Sequence, residues 1–342
     1  MTLTLFCKVI DNTFSLEKYR NNEIFMIGDH VEIRDYFFVK KKGLIIDIIK
    51  REPVRIDKFD VVKLKVKING KTKNYCPKKT KVLDRGKYLP FDIADNYEFW
   101  IEEIKKDPFE IFDTVDNIDF RSVYDDFFNG LLSLQTRLPE SLSISYFKRS
   151  IQRGNHILSN ELLEKSNNNL EIHSIKIKIL RSIAYSMAFV SNKPDHAKLL
   201  ETANLIKSKC SKISSGYWWA GDQDFYLSAV RALIIADDLD TARDFLKSKR
   251  SFSKHTEQRR ILIQLLKKQS NPDKDVQLRK DCYDFTEYTY YNIASYSSYF
   301  STCYTFIEWN AIYYKFFISQ DFTVDWNYVY KSLKDFTIAA NR

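Results

Sequence analysis

Between Ile24 and Leu83 apolar and polar residues alternate in short runs broken by turn residues. The runs are Met26 to Ile33, Lys42 to Ile49, Asp60 to Ile68, Lys71 to Cys76 and Thr80 to Leu83, and an Asn69-Gly70 pair separates the third from the fourth. A two-residue period puts successive side chains on opposite faces of a strand, and Asn-Gly between such runs is a strong hairpin signal. Five runs in about sixty residues predict a small antiparallel barrel. From about residue 95 the period becomes helical. Tyr97 to Ile104 starts a helix that Pro108 ends or kinks, and Val123, Phe127, Leu131 and Leu134 recur three to four apart in a helix over 120–138. Further helices are predicted over 141–165, 171–191, 195–209, 223–237, 240–248, 255–269, 276–293, 296–318 and 325–339. Their short connections predict antiparallel hairpins.

The 342 residues thus divide as an α+β multidomain chain. A small β-barrel domain is expected over 1–90 and a large all-α domain of stacked antiparallel helical hairpins over 91–342, with Leu89-Pro90-Phe91-Asp92 as the joint. A weak repeat supports the stack. Ala184-Tyr-Ser-Met-Ala188 with Asp195-His-Ala197-Lys-Leu-Leu200 recurs 45 residues later as Ala229-Val-Arg-Ala-Leu233 with Asp240-Thr-Ala242-Arg-Asp-Phe245. Stacked hairpins present an extended concave surface, which favours binding over catalysis.

Charge sharpens the division. Residues 1–90 hold 21 Lys+Arg against 11 Asp+Glu, a net of +10, and the rest holds 54 − 21 = 33 against 45 − 11 = 34, a net of −1. A basic domain beside a neutral one implies an anionic partner for the first and a different partner for the second. No apolar run reaches the roughly 18 residues of a membrane span, and the opening residues lack a basic n-region, so the expectation is a cytoplasmic protein without membrane contact. Cys7, Cys76, Cys210, Cys282 and Cys303 are scattered, with no Cys-x-x-Cys pair or zinc spacing, and are expected to be reduced and mostly buried.

Within the basic segment Lys63, Lys65 and Lys67 share one strand face, and Lys71, Lys73, Lys78, Lys79 and Lys81 follow with no acidic residue from 63 to 81. In a three-residue turn Lys67 would oppose Lys71 and Lys65 would oppose Lys73, whereas a two-residue loop would offset them. Two readings stay open for the eight lysines. They are a surface for phosphate or an acidic protein, or an edge hairpin made lysine-rich to block sheet-to-sheet pairing. A surface rich in Lys and poor in Arg favours delocalised attraction over bidentate base contacts. Tyr36, Phe37 and Phe38 are candidates for base stacking or for core and rim. The segment resembles bacterial SH3-like or KOW-type modules, in which Gly-Asp-x-Val-x-Ile, here Gly28 to Ile33, opens the first strand and Lys-Gly-x-Ile, here Lys42 to Ile45, follows.

Two helical-domain constellations are candidate partner surfaces. In Gly216 to Asp224 the adjacent Trp218 and Trp219 sit in a glycine-bounded loop before a helix with Asp222 as a possible N-cap and Asp224 beside it. The rings serve either as interface anchors or as plugs in the stack. Tyr283 to Phe317 contains 15 aromatics in 35 residues, too many to bury together, and Tyr288, Tyr291 and Tyr296 are assigned to a contact surface.

No phosphate loop, dinucleotide fingerprint, zinc-protease helix or nucleophile elbow is present. Arg149 to His156 and Arg250 to His255 match the loose Arg-x4–6-His spacing of helical HEPN-type ribonucleases. The 17 arginines and 5 histidines of the chain produce roughly 0.75 such matches by chance, so a nuclease is the third reading. No catalytic residue, metal ligand or cofactor is assigned.

Over roughly residues 120 to 335 the helical part resembles an all-helical immunity-protein family of bacterial polymorphic toxin systems, on Ser182 to Ala188 with Ala197 to Leu205, and Tyr226 to Leu233 with Asp240 to Leu246. The resemblance implies a non-enzymatic protein that binds and neutralises a cognate toxin or a defence or anti-defence factor. The basic barrel would then supply electrostatic steering. The alternative is a nucleic-acid-associated adaptor whose lysine hairpin grips phosphates.

Overall fold

The computed structural model describes residues 10–11, 14–34, 39–50, 60–85, 121–135, 139–159, 169–212, 220–248, 257–268, 275–292, 299–319 and 321–339. They form an antiparallel sheet followed by a run of helices, an α+β arrangement. The predicted helix over 97–104, the joint at 89–92 and Tyr36 to Phe38 lie outside the described residues.

The sheet comprises β1 (Ile10–Asp11), β2 (His30–Arg34), β3 (Lys40–Lys50), β4 (Asp60–Ile68), β5 (Lys71–Tyr75) and β6 (Thr80–Asp84), with a five-residue helix α1 (Leu16–Arg20) between β1 and β2 and a 3-10 turn Pro77–Lys79 before β6. β2, β3, β4 and β5 pair in succession, and β6 returns to pair with β2. β1 and β5 share one edge of β4, against its start and its end respectively. β5 and β6 do not pair, so among the described residues the sheet is open and not a closed barrel.

Alternation along the strands produces one apolar face. Val31, Ile33, Ile45, Ile48, Val61, Leu64, Val66 and Val82 are buried with Phe25 and Ile27. Gly43 is required where β3 crosses β4, since a Cβ there would stand 2.6 Å from Val66 Cγ1 and 2.9 Å from the Lys67 carbonyl oxygen.

The helices are α2 (Arg121–Gln135), α3 (Glu140–Ser159), α4 (Asn169–Ser191), α5 (His196–Lys212), α6 (Ala220–Ile235), α7 (Leu239–Ser248), α8 (Glu257–Lys267), α9 (Val276–Asn292), α10 (Tyr299–Phe317) and α11 (Trp326–Ala339). Acidic caps set several of their starts. Asp195 accepts from Lys198 N at 3.1 Å, Asp238 from Thr241 N at 3.2 Å and Asp275 from Leu278 N at 3.0 Å. The 45-residue repeat survives at the preceding helix ends, where Asn192 and Asp237 both take positive φ, 58° and 65°. Asp238 is the cap in the second copy, and Ala197 is exposed where Ala242 is buried.

Successive helices are neighbours, but the C-terminal ones also return to the start. α10 packs on α2 and α6, and α11 packs on α2 and α4. The cause is composition, because Tyr304 to Ile312 of α10 are all buried and the helix is apolar around most of its circumference. An open stack, in which each unit touches only its neighbours, would leave those side chains in water.

Cys282 is free and buried, and burial pushes its thiol up. Cys76 is disulfide-bonded, which corrects the expectation of five reduced thiols. No helix among the described residues is long and apolar enough to cross a membrane.

Candidate nucleic-acid interface

The Asn69-Gly70 loop contains two residues, both with positive φ, 48° and 76°, the type I′ geometry that matches strand twist. The resulting register pairs Lys67 with Thr72 and Lys65 with Asn74, while Lys71 pairs with Ile68 and Lys73 with Val66. No lysine stands directly opposite another in this hairpin, so the repulsion that a three-residue turn would impose is absent.

The register also divides the charge between two faces. Lys63, Lys65 and Lys67 project from the face opposite the apolar core, together with Thr72 and Asn74. Lys71 and Lys73 project from the other face, on the side of Val66 and Ile68. Both lysines are nevertheless exposed, as are Lys67, Asn69, Gly70, Thr72 and Asn74, so the end of the hairpin is in solvent on both faces.

Neighbouring strands extend the outer face. Lys42 of β3 and Lys81 of β6 both pair with Glu32 of β2, whose carboxylate is held by Lys40 at 3.2 Å. Asp47 lies opposite Lys65. Lys78 is exposed and Lys79 half-buried in the turn before β6. Among the described residues Lys63, Lys67, Lys71, Lys73, Lys78 and Lys81 make no ion pair. Six exposed ammonium groups without an ion pair among the described residues form a field that attracts anions.

The helical candidates fare differently. Trp218, Trp219 and Tyr296 lie outside the described residues, as do the side chains of Asp222, Asp224 and Tyr291. Helix α6 begins at Ala220, so Asp222 is inside its first turn and does not cap it. Tyr288 is half-buried and stacks on Phe14 with ring centroids 3.7 Å apart. It therefore serves the contact between α1 and α9.

That contact was not legible in the sequence. Tyr19 donates to Glu287 Oε2 at 2.8 Å, and Arg20 bonds to Asp281 at 2.9 Å and to Asp284. Arg260 also holds Asp281, at 2.5 Å. Burial opposes ionisation of Asp281, but the hydrogen bonds from Arg260, Arg20 and Gln277 outweigh it and keep the carboxyl below its ordinary range. On the sheet side, Arg85 donates to Asp29 at 2.7 Å, to Ile24 O at 2.8 Å and to Tyr19 O at 3.1 Å. Only Ser15, which caps α1 by accepting from Lys18 N, gave a local sign of the helix.

A second unforeseen cluster lies inside the helices. Glu308 of α10 accepts from Arg181 at 2.7 Å, from Tyr185 at 2.7 Å and from Arg231 Nε at 2.7 Å. Arg231 continues to Gln258 at 2.7 Å and Thr305 at 3.3 Å. Both guanidinium groups and the carboxylate are buried, so the cluster joins α4, α6, α8 and α10.

For the nuclease reading, Arg149 is held by Asp126, with its Nε 2.7 Å from Oδ1, and Arg153 takes the other oxygen at 2.7 Å. The Arg250 to His255 pattern lies outside the described residues. No group of three His, Cys, Asp or Glu among the described residues has metal-binding geometry. No protein-family model matches the chain. No curated protein and no solved structure matches it either.

Proposed function

We propose that the protein binds nucleic acid through the phosphate backbone, using the lysines of the N-terminal sheet. The carrying observation is the set of six exposed lysines, without an ion pair among the described residues, on the β4–β5 hairpin, the turn after it and the start of β6. Phosphate contacts from such a surface supply affinity with little sequence selectivity, since lysine is a point charge and lacks the bidentate fork of arginine. We read the sheet as an SH3-like fold, on the succession β2 to β5, the 3-10 turn and the return of β6 to β2. The helices are then a platform to which α1 fastens the sheet.

Titration of the full chain with labelled oligonucleotides across a salt series tests this reading. Affinity is expected to fall steeply with ionic strength, with a logarithmic slope of roughly −0.9 per phosphate neutralised on duplex DNA. Absence of binding at low salt would remove the reading.

The second reading is protein binding by the helical domain, immunity-like in neutralising a toxin or defence factor. One observation favours it. Tyr283 is exposed and packs edge-on against Tyr313, with Val276 and Ile318 also exposed near the ends of α9 and α10. Aromatic and aliphatic side chains left at a surface suit an interface core. A purified partner that binds stoichiometrically and loses affinity with Tyr283→Ala would establish it.

A further inference from the structure

We propose that duplex DNA lies against the outward face of the sheet, with one phosphate backbone following a basic track that crosses from β4 through β3 to β2. The proposal rests on the phosphate-binding reading and specifies its ligand and its path. β4 is an interior strand, paired with β3 on one side and with β1 and β5 on the other, so only its faces are open to a partner. One face carries the apolar core, and Lys63, Lys65 and Lys67 project from the other.

The register shows where the charge continues. Lys67 stands opposite Leu44, and two residues along β3 from Leu44 the outward position is Lys42. Lys40 follows, opposite Arg34 of β2, and Lys81 of β6 joins from the far side of Glu32. All of these cations are exposed except the half-buried Lys65. Outward positions recur about 6.8 Å apart along a strand, and each DNA strand presents a phosphate about every 3.4 Å of axis, so one backbone engages several of the cations together. Thr72 and Asn74 of β5, opposite Lys67 and Lys65, add neutral hydrogen-bonding groups of the kind that position a backbone without reading bases. Lys71 and Lys73 project from the other face and contribute only to the long-range field.

The shape of the track selects among polyanions. Asp47 and Glu32 flank it, opposite Lys65 and Lys42, and Asp84 lies opposite His30. A linear backbone passes between these carboxylates, whereas a lipid surface, charged over a plane, would meet all of them. Single strands are gripped largely by aromatic stacking platforms. Among the described residues no Phe, Tyr or Trp projects from this face, and Tyr75, opposite Leu64, is on the core side. Duplex RNA is held through 2′-hydroxyls across a wide minor groove. Beside the lysines of β4, where a second row of such contacts would fall, stand Leu44, Asp47 and Ile49, and two of these three side chains have no hydrogen-bonding group.

The test is amine labelling of the full chain with acetic anhydride, read residue by residue by mass spectrometry, with and without a DNA duplex of about 20 base pairs. Labelling of Lys42, Lys63, Lys67 and Lys81 is expected to slow about threefold or more in the complex. Lys71 and Lys73 are expected to be protected less, and Lys193, on the exposed turn after α4, not at all. A second arm compares Lys42→Gln with Lys67→Gln against Lys71→Gln with Lys73→Gln, with folding checked by circular dichroism. The first pair is expected to lose about tenfold or more in affinity and roughly 0.9 of the logarithmic salt slope per residue, and the second pair less of each. Labelling needs no variant and decides the matter if one fails to fold. Equal protection of Lys71 and Lys73, or equal losses from the two pairs, would overturn the track while leaving phosphate binding intact. Equally tight binding of a single strand, an RNA duplex or phosphatidylserine vesicles would overturn duplex DNA as the ligand. Failure of every one of these to bind would overturn both readings, and the lysines would then be guards of the sheet edge.

Discussion

Tyr19 and Glu287 are 268 residues apart and share a hydrogen bond of 2.8 Å. The bond ties α1 to α9, beside the Arg20 contacts with Asp281 and Asp284 and the stacking of Phe14 on Tyr288. The helix has only five residues, too short to persist alone, so the docking holds it. Removing Arg20 as Arg20→Ala is expected to cost about 1–2 kcal/mol, given its partial exposure. Calorimetry is the readout: one transition in the parent, and an earlier, separate melting of the sheet in the variant. Coincident melting in both would mean that this junction carries no coupling.

The Glu308 cluster predicts a large and asymmetric effect. Burial opposes the charge on Arg181, but attraction to Glu308 outweighs it and raises the guanidinium above its ordinary range. Glu308→Ala leaves two buried guanidinium groups without their carboxylate and is expected to cost about 3–5 kcal/mol. Simultaneous replacement of Glu308, Arg181 and Arg231 by apolar residues of similar volume should recover much of that loss. Urea unfolding of the single and triple variants measures the difference, and a triple variant less stable than Glu308→Ala would contradict the argument.

Asp29 makes stability depend on pH. Burial is the main cause of a carboxyl pushed up to about 7, partly offset by Arg85 and by the Met26 N–H. Because the folded value lies above that of an unfolded aspartate, about 3.9, the folded state binds the proton more tightly. The contribution is complete below pH of about 4 and is lost as pH rises to about 7. The melting temperature of Asp29→Asn, which keeps an oxygen for Arg85, should therefore gain on that of the parent across this window. A difference that does not change with pH would dismiss Asp29 as the titrating group.

Two glycines of the hairpin region should fail for different reasons. Gly43→Ala places a Cβ against Val66, Ile68 and the Lys67 carbonyl and is expected to cost about 1–3 kcal/mol by overpacking. Gly70→Ala meets nothing within 4 Å, but its φ of 76° is strained for an L side chain, at about 1–2 kcal/mol. Replacement of Gly70 by Asn, which tolerates that conformation, should restore most of the second loss and none of the first when placed at Gly43. Equilibrium unfolding of the four variants checks the pattern.

The strands β2 to β6 and the helices α2 to α11 were legible because each carries its own period, and the Asn69-Gly70 pair named its hairpin. The register was not fully legible, since Asn-Gly serves both loop lengths, and one residue decides whether Lys67 faces Lys71 or Thr72. Nor did the pattern disclose α1, which is shorter than two turns. Arg181, Arg231 and Glu308 interrupt apolar faces and locally look like exposed positions. Only partners 77 and 127 residues away explain their burial. Tyr288 was legible as a contact residue, but its partner belongs to the same chain.

The Glu308 cluster has a consequence for the growing polypeptide. Arg181 and Arg231 leave the ribosome before Glu308, by 127 and 77 residues, and synthesis at about 5–20 residues per second keeps them waiting for at least several seconds. Burial of an unpaired guanidinium is prohibitive, so α4 and α6 stay unpacked around these residues until α10 is made. A nascent chain halted before residue 299 is then expected to be cut rapidly by protease within α4 and α6, and the released full chain to resist. Protection of the shorter nascent chain would show that those helices settle without their carboxylate. The middle of the chain is thus expected to stay open to protease until a single residue near its end arrives.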